Sequence, residues 1–330
     1  MQPDQALMTN LTNPPISLPL RVLRAAVTAA AITAGTAAAF GQDSGDGSPG
    51  FLDGLFGRGE QAAPPARPDR LAQSTANDLS VRIDRLEAQI RQMTGVIEEL
   101  QFHNQQMADQ LRRMQDDDSA NPGMLWVLDG EVLWQRKDGS AGKACADCHG
   151  EAARSMRGVA ARYPAFDQTL GRPIDLEGRI NACLTKHQRA EPLAFESRAL
   201  LSLAAYVARQ SKGLPISVDD NAATLPFVAA GRAIFERRQG QLNLSCAQCH
   251  DDNWGQKLAG ATIPQGHPNG YPVYRLEWQG LGSLQRRLRN CLFGMRAETY
   301  AYGAPELNEL ELFLAWRARD LLIETPAVRP

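Results

Sequence analysis

The sequence predicts an all-α protein with two tandem helical domains produced by an internal duplication, preceded by one long coiled-coil helix. Three observations carry this prediction. Apolar residues step by alternating threes and fours from Leu79 to Met114, one pattern of landmarks occurs twice after residue 121, and little in either copy alternates with period two.

The N-terminal seam comprises Leu79, Ile83, Leu86, Ile90, Met93, Ile97, Leu100, Asn104, Met107, Leu111 and Met114. With Ile83, Ile90, Ile97 and Leu111 at the a positions and Leu or Met at d, it reads as a coiled coil over 77–116. Asn104 at an a position would fix register at some cost in stability. A single long helix packed on its own protein is the alternative, and the narrowness of the a/d stripe argues against it. An acidic run and a proline between 116 and 122 end the helix.

Ahead of the coil, RVLRAAVTAAAITAGTAAAFGQ places Arg21 and Arg24 before a small-residue apolar run, with Ala39 and Gly41 where a signal peptidase reads. Residues 1–41 are therefore expected to be a signal peptide directing export to a periplasm. The run is rich in Ala and Thr and shorter than the ~20 residues a membrane span needs. Residues 42–76, rich in Gly, Pro, Asp and Ser, read as a disordered linker.

The duplication divides the remainder into a first domain over 121–215 and a second over 222–330. Gly130 and Trp134 precede Cys145 by 15 and 11 residues, and Gly231 and Phe235 precede Cys246 by the same distances. Tyr163-Pro164 lies 20 residues before Cys183, and Tyr271-Pro272 lies 20 before Cys291. Arg179 and Arg287 each stand four residues ahead of those later cysteines, and the second copy carries about seven extra residues. Each copy opens with a helical stretch, GEVLWQR or GRAIFERR, and closes with an amphipathic one, SRALLSLAAYVARQ or ELNELELFLAWRAR.

Four of the six cysteines fall in two Cys-x-x-Cys-His strings, CADCH at 145–149 and CAQCH at 246–250. Two thiols so spaced can add to the two vinyl groups of a haem while the adjacent imidazole reaches the iron. Cys145, Cys148 and His149 are thus expected to hold one covalent haem c, and Cys246, Cys249 and His250 a second, which makes both copies cytochrome c domains. A thioredoxin-like pair would need a βαβ pattern that is missing, and half of a zinc site is the weaker competitor. The formal net charge of -2 and pI near 6.2 exclude a general nucleic-acid binder.

The leftover cysteines, Cys183 and Cys291, occupy equivalent places and are assigned as distal thiolate ligands of the iron. Two alternatives stay open, buried structural thiols and a disulfide between the domains. Competing distal ligands are Met156, His187, His267 and Met295. Around Cys291 the string LQRRLRNCLFGMRAE gathers Arg286, Arg287, Arg289 and Arg296 into a patch able to bind an oxoanion. On a helix Arg287 shares a face with Cys291. Pairing of these arginines with haem propionates is the other reading. Arg179 repeats the spacing at Cys183 with fewer basic neighbours, so the second domain is the better active-site candidate.

The strings NPGMLWVLDGE, ARYPAFD, GRINACL, LSCAQCHDDNWG, IPQGHPNGYPVYRLEWQ and RLRNCLFGMRAE resemble the SoxA family, the dihaem subunit of the SoxAX sulfur-oxidation cytochromes, from about residue 121 to the C-terminus. DLSVRIDRLEAQIRQMTGVIEELQFHNQQ resembles the trimerising coiled coil of periplasmic YbgF-like proteins, so two or three strands are expected. The SoxA resemblance implies His/Cys ligation of both haems, with Cys291 carried as a persulfide and Arg287 binding substrate. It further implies a monohaem SoxX-like cytochrome partner and the SoxYZ sulfur carrier as substrate. The implied activity is L-cysteine S-thiosulfotransferase, joining thiosulfate to a carrier cysteine with electrons passed to cytochrome c. Where the family has a folded segment ahead of NPGMLW, this chain has a linker and a coil. Two rival functions remain at this stage, a dihaem electron carrier without bond-forming chemistry and an envelope scaffold built on the coil.

Overall fold

A computed structural model of the chain describes residues 69–258 and 260–330, with side chains from residue 74. The expected signal segment and all of the expected linker up to residue 68 lie outside the described residues. Helix α1 spans Asp69–Asp116, so regular structure begins before the expected 77. Among the described residues no helix is long and apolar enough to cross a membrane.

The seam of α1 divides into two parts. Ile83, Ile90 and Ile97 stand 43%, 52% and 53% exposed, whereas Leu111 is only 7% exposed. Leu111 and Met114 pack with Val127, Leu201, Tyr274 and Val328, so the last turns of α1 belong to the globular body. Polar bonds fix that end. The Gln115 side-chain oxygen accepts from the Val328 amide (3.2 Å) and from Arg329 (2.6 Å). Asn121 donates to the carbonyls of Gln115 (3.2 Å) and Pro326 (2.9 Å).

The first copy runs α2 (Met124–Gln135), α3 (Cys145–His149) and α4 (Ala152–Ser155), then the hairpin β1 (Ala165–Asp167) and β2 (Arg172–Ile174), then α5 (Leu176–Cys183) and α6 (Arg198–Arg209). The second copy has α7 (Leu225–Glu236), α8 (Cys246–His250), an added hairpin β3 (Lys257–Leu258) and β4 (Ala261–Thr262), then β5 (Val273–Arg275), β6 (Gly280–Gly282), α9 (Leu284–Gly294), α10 (Pro305–Arg317) and β7 (Ala327–Arg329). Helices dominate, as expected. The strands are only two or three residues long, too short for a period-two signal to register. β1–β2 and β5–β6 are antiparallel with matching registers, and β7 adds to β5 in parallel.

The opening helix of each copy crosses the closing one, α2 on α6 and α7 on α10. The paired glycines permit that approach. A Cβ on Gly130 would lie 2.1 Å from the Ser202 carbonyl oxygen, and one on Gly231 would lie 2.0 Å from that of Glu309. Behind these crossings Trp134, Ala204 and Val207 fill the first core, and Phe235, Leu310 and Phe313 fill the second. The helices after the hairpins start on side-chain caps. Asp175 accepts from the Gly178 amide (2.7 Å), and Ser283 from the Arg286 amide (3.1 Å).

A buried polar seam joins the copies. Gln285 donates to Asp175 (2.8 Å) and to the Asn308 side-chain oxygen (3.1 Å), and its own oxygen accepts from the Gly303 amide (2.8 Å). Burial raises the Asp175 carboxyl to about 6. Burial, then the neighbouring Asp175, takes Glu177 to about 8, and burial raises Glu311 as well. Raised to about 8, Glu177 avoids placing a further negative charge in this interior at neutral pH.

Candidate functional site

In each copy the structure brings the later cysteine to the Cys-x-x-Cys-His helix of the same copy. α3 presents Cys145, Cys148 and His149, and the Cys183 thiol at the end of α5 is close enough to raise Cys145 and to be raised by Cys148. α8 presents Cys246, Cys249 and His250, and Cys291 on α9 raises Cys246 and is raised by Cys249. All six cysteines are free, so the disulfide between the domains does not form. Burial pushes Cys246 up to about 12, and Cys291 adds to the shift. Of the other distal candidates, His267 follows Gly266, where a Cβ would lie 3.3 Å from the His250 ring. His187 is exposed in a π turn after Cys183, Met156 packs into the first core, and Met295 caps α9.

The motif helices are held by their own chemistry. The Ser245 hydroxyl accepts from the Gln248 amide (3.3 Å), and the Ser245 amide donates to the Gln248 side chain (2.9 Å), a reciprocal box that starts α8. In α3 only half of that box exists, the Ala144 amide donating to Asp147 (2.8 Å). Trp134 supports α3 by donating to the Gly150 carbonyl (2.9 Å), with its ring 5.7 Å from that of His149.

The two histidines differ. His250 Nδ1 lies 2.6 Å from the Pro264 carbonyl oxygen. A carbonyl only accepts, so the proton sits on Nδ1 and the Nε2 lone pair is left for a metal. Pro264 lies between His250 and Tyr271, the segment in which the second copy is seven residues longer: the offset between copies is 101 residues up to His250 and 108 from Tyr271 onward. The ring nitrogens of His149 make no such bond among the described residues. Free paired thiols, an imidazole with one nitrogen available and a thiol in the same cluster together fit a covalently attached haem c.

The expected four-arginine patch does not converge. Arg286 lies over the Trp278 ring at 4.2 Å and pairs with Glu196 at 3.8 Å, Arg289 lies over Tyr302 at 4.5 Å, and Arg296 is exposed in a left-handed turn. Only Arg287 is turned toward the thiol, because it sits one helical turn before Cys291 on α9. Among the described residues its guanidinium has no ion pair or hydrogen bond. Burial pushes the Cys291 thiol up, while Arg287 and then Arg275 pull it back. Half-buried Tyr271 beside them is raised to about 12, desolvation being the main cause. The counterpart Arg179 is neutralised, bonding Asp167 at 2.5 Å and the Tyr163 hydroxyl at 3.2 Å. Sequence reading missed Asp167, Arg275 and Pro264. Sliding the offset of 108 past the later cysteines aligns Asp167 with Arg275 and would have exposed that exchange.

Two related helical domains, each setting a Cys-x-x-Cys-His helix against a further thiol, define a c-type cytochrome. The SoxA/TsdA cytochrome c domain model matches residues 129–216 and 230–323. L-cysteine S-thiosulfotransferase subunit SoxA of Pseudaminobacter salicylatoxidans is 40% identical over 219 residues, 66% of this chain and 77% of that protein. Its namesake in Paracoccus pantotrophus is 34% identical over 221 residues, 67% of this chain and 76% of that one. The crystal structure of SoxXA from P. pantotrophus matches with a TM-score of 0.65 at 34% identity, covering 67% of this chain and 84% of the other. The chain belongs to the SoxA/TsdA cytochrome c family.

Proposed function

We propose that this chain is the SoxA subunit of an L-cysteine S-thiosulfotransferase, with two covalent haem c groups. Cys145 and Cys148 would attach the first haem, with His149 and Cys183 available to its iron. Cys246 and Cys249 would attach the second, with His250 and Cys291 available to its iron. The observation that carries the reading is the unpaired Arg287 guanidinium one turn from Cys291, against the neutralised Arg179 in the other copy. The names of the relatives supply the reaction, and the SoxXA structure supplies the SoxX-like monohaem partner.

In this mechanism Arg287 holds the sulfonate of thiosulfate by charge-assisted bonds. The outer sulfur of thiosulfate forms an S–S bond to the sulfur carried by Cys291, bare or as a persulfide. A cysteine thiol of SoxYZ then attacks that outer sulfur, displaces the Cys291 sulfur and leaves as the S-thiosulfonate. The sum is a thiol plus thiosulfate giving the S-thiosulfonate, one proton and two electrons. A haem held by Cys246, Cys249 and His250 would supply one-electron acceptance for passage to cytochrome c. Burial raises the Cys291 thiol on balance, and Arg287 and Arg275 reduce that rise, favouring the sulfur as an anion at both ends of the cycle.

The periplasmic location rests on the signal-like segment at 1–41. Self-association in two or three strands rests on the half-exposed apolar seam of α1 from Leu79 to Met107. Removing residues 1–106 keeps the anchoring turns at Leu111 and Met114. The truncated holoprotein is expected to sediment as a single SoxA unit while retaining thiosulfate turnover within about twofold. Loss of turnover with haem content intact would favour the coil as the working part; unchanged assembly would remove the coil as the oligomerising element.

A further inference from the structure

We propose that Arg275 is a second anion-binding residue at Cys291, and that Asp167, at the equivalent place in the first copy, cancels the corresponding site at Cys183. The proposal rests on the reading of Cys291 and Arg287 given above and extends it to the strand beside them.

The equivalence is geometric. Asp167 pairs across its hairpin with Arg172, and Arg275 pairs across its own with Gly280, at the same rung of matching registers. The single offset of 108 that carries Cys183 to Cys291 and Arg179 to Arg287 also carries Asp167 to Arg275. In the first copy the Asp167 carboxylate accepts from the amides of Thr169 (2.7 Å) and Leu170 (2.9 Å) and from Arg179 (2.5 Å). The cation beside Cys183 is thereby matched by an anion.

In the second copy the same strand position carries a cation. Arg275 is held by a bond from Nε to the Pro330 oxygen (2.9 Å), by the half-exposed Glu277 carboxylate at 3.4 Å, and by the Trp278 ring at 5.2 Å. Burial disfavours its charge, and the neighbouring Arg287 disfavours it further. Because Asp167 touches Arg179 at 2.5 Å, the same rung in the second copy sets the Arg275 side chain beside Arg287, which is unpaired among the described residues and one helical turn from Cys291. A dianion placed between them relieves the repulsion and is bound by both, whereas a neutral or cationic ligand gains nothing. The chemical class selected is a small sulfur oxoanion of charge -2, and thiosulfate meets that requirement.

The test is calorimetric binding of thiosulfate to the haem-loaded protein at low and at 0.2 M salt, with absorbance and circular dichroism reporting fold and haem content. Arg275→Gln is expected to weaken binding by about tenfold or more and to flatten its salt dependence, as is Arg287→Gln. Arg275→Lys should recover most of the affinity, a rescue that a purely structural contact with Pro330 would not give. Asp167→Asn, which touches nothing at Cys291, should add a second and weaker site. If Arg287→Gln weakens binding and Arg275→Gln does not, Arg275 is not a ligand and the Arg287 site stands. If neither changes it, both readings fall. A stoichiometry unchanged in Asp167→Asn overturns the cancelling role of Asp167.

Discussion

Replacing Cys291 with Ala is expected to lower thiosulfate coupling by about 10³-fold or more, because the sulfur that forms the S–S bond is gone and only binding remains. Replacing Cys183 with Ala should cost less than about threefold. The asymmetry follows from charge. Beside Cys183 the Arg179 guanidinium, which with Lys186 still favours the thiolate, is engaged by Asp167 at 2.5 Å, whereas Cys291 faces Arg287 with no such partner and the cation of Arg275. Cys291→Met separates bond formation from iron ligation, since a thioether can ligate iron but cannot enter thiol exchange. The Met variant should therefore keep its haem and remain as inactive as the Ala variant. Steady-state turnover with the carrier protein, alongside haem absorbance, measures all three. Appreciable turnover by Cys291→Ala would end the assignment of that sulfur to the chemistry.

The largest stability effect is expected at a residue without a side chain. A Cβ on Gly231 would lie 2.0 Å from the Glu309 carbonyl oxygen, 2.6 Å from its carbon and 2.8 Å from the Phe313 Cβ. Two of those atoms are backbone, so relief requires α7 and α10 to separate along their crossing. Gly231→Ala should cost about 3 kcal/mol or more through overpacking, a fall in Tm on the order of 10 °C. The damage should reach the site as well. Phe235 on α7 lies 6.4 Å from the His250 ring, and Arg317 on α10 covers Phe235 at 4.7 Å and pairs with Asp251 at 2.7 Å. Thermal unfolding of the holoprotein checks this; a Tm within about 2 °C of the parent would contradict the close-packed crossing.

Much of this arrangement was legible because it is written in local strings or repeated distances. Cys-x-x-Cys-His is contiguous, the Arg-to-Cys spacing is one helical turn, and Gly130 and Gly231 keep their distance from the haem-binding strings because the helix crossing tolerates no other residue. What escaped depends on partners remote in sequence. Asp167 meets Arg179 only through the β1–β2 hairpin and the helix that follows it, and no motif announces an ion pair across 12 residues. Pro264 reaches His250 from a segment that is seven residues longer in the second copy. Glu177 and Glu311 look like ordinary surface acids until two domains close over them. The heptad seam shows the same limit, since a buried a/d stripe looks alike whether it faces a second helix or its own body. At Leu111 and Met114 it faces the body.

If the sulfur on Cys291 is the reacting atom, peptide mass spectrometry of the haem-loaded protein after exposure to thiosulfate and its carrier should find extra sulfur, removable by a reductant, on the Cys291 peptide and not on the Cys183 peptide. A plain thiol at both positions would contradict that role and leave an electron carrier in its place.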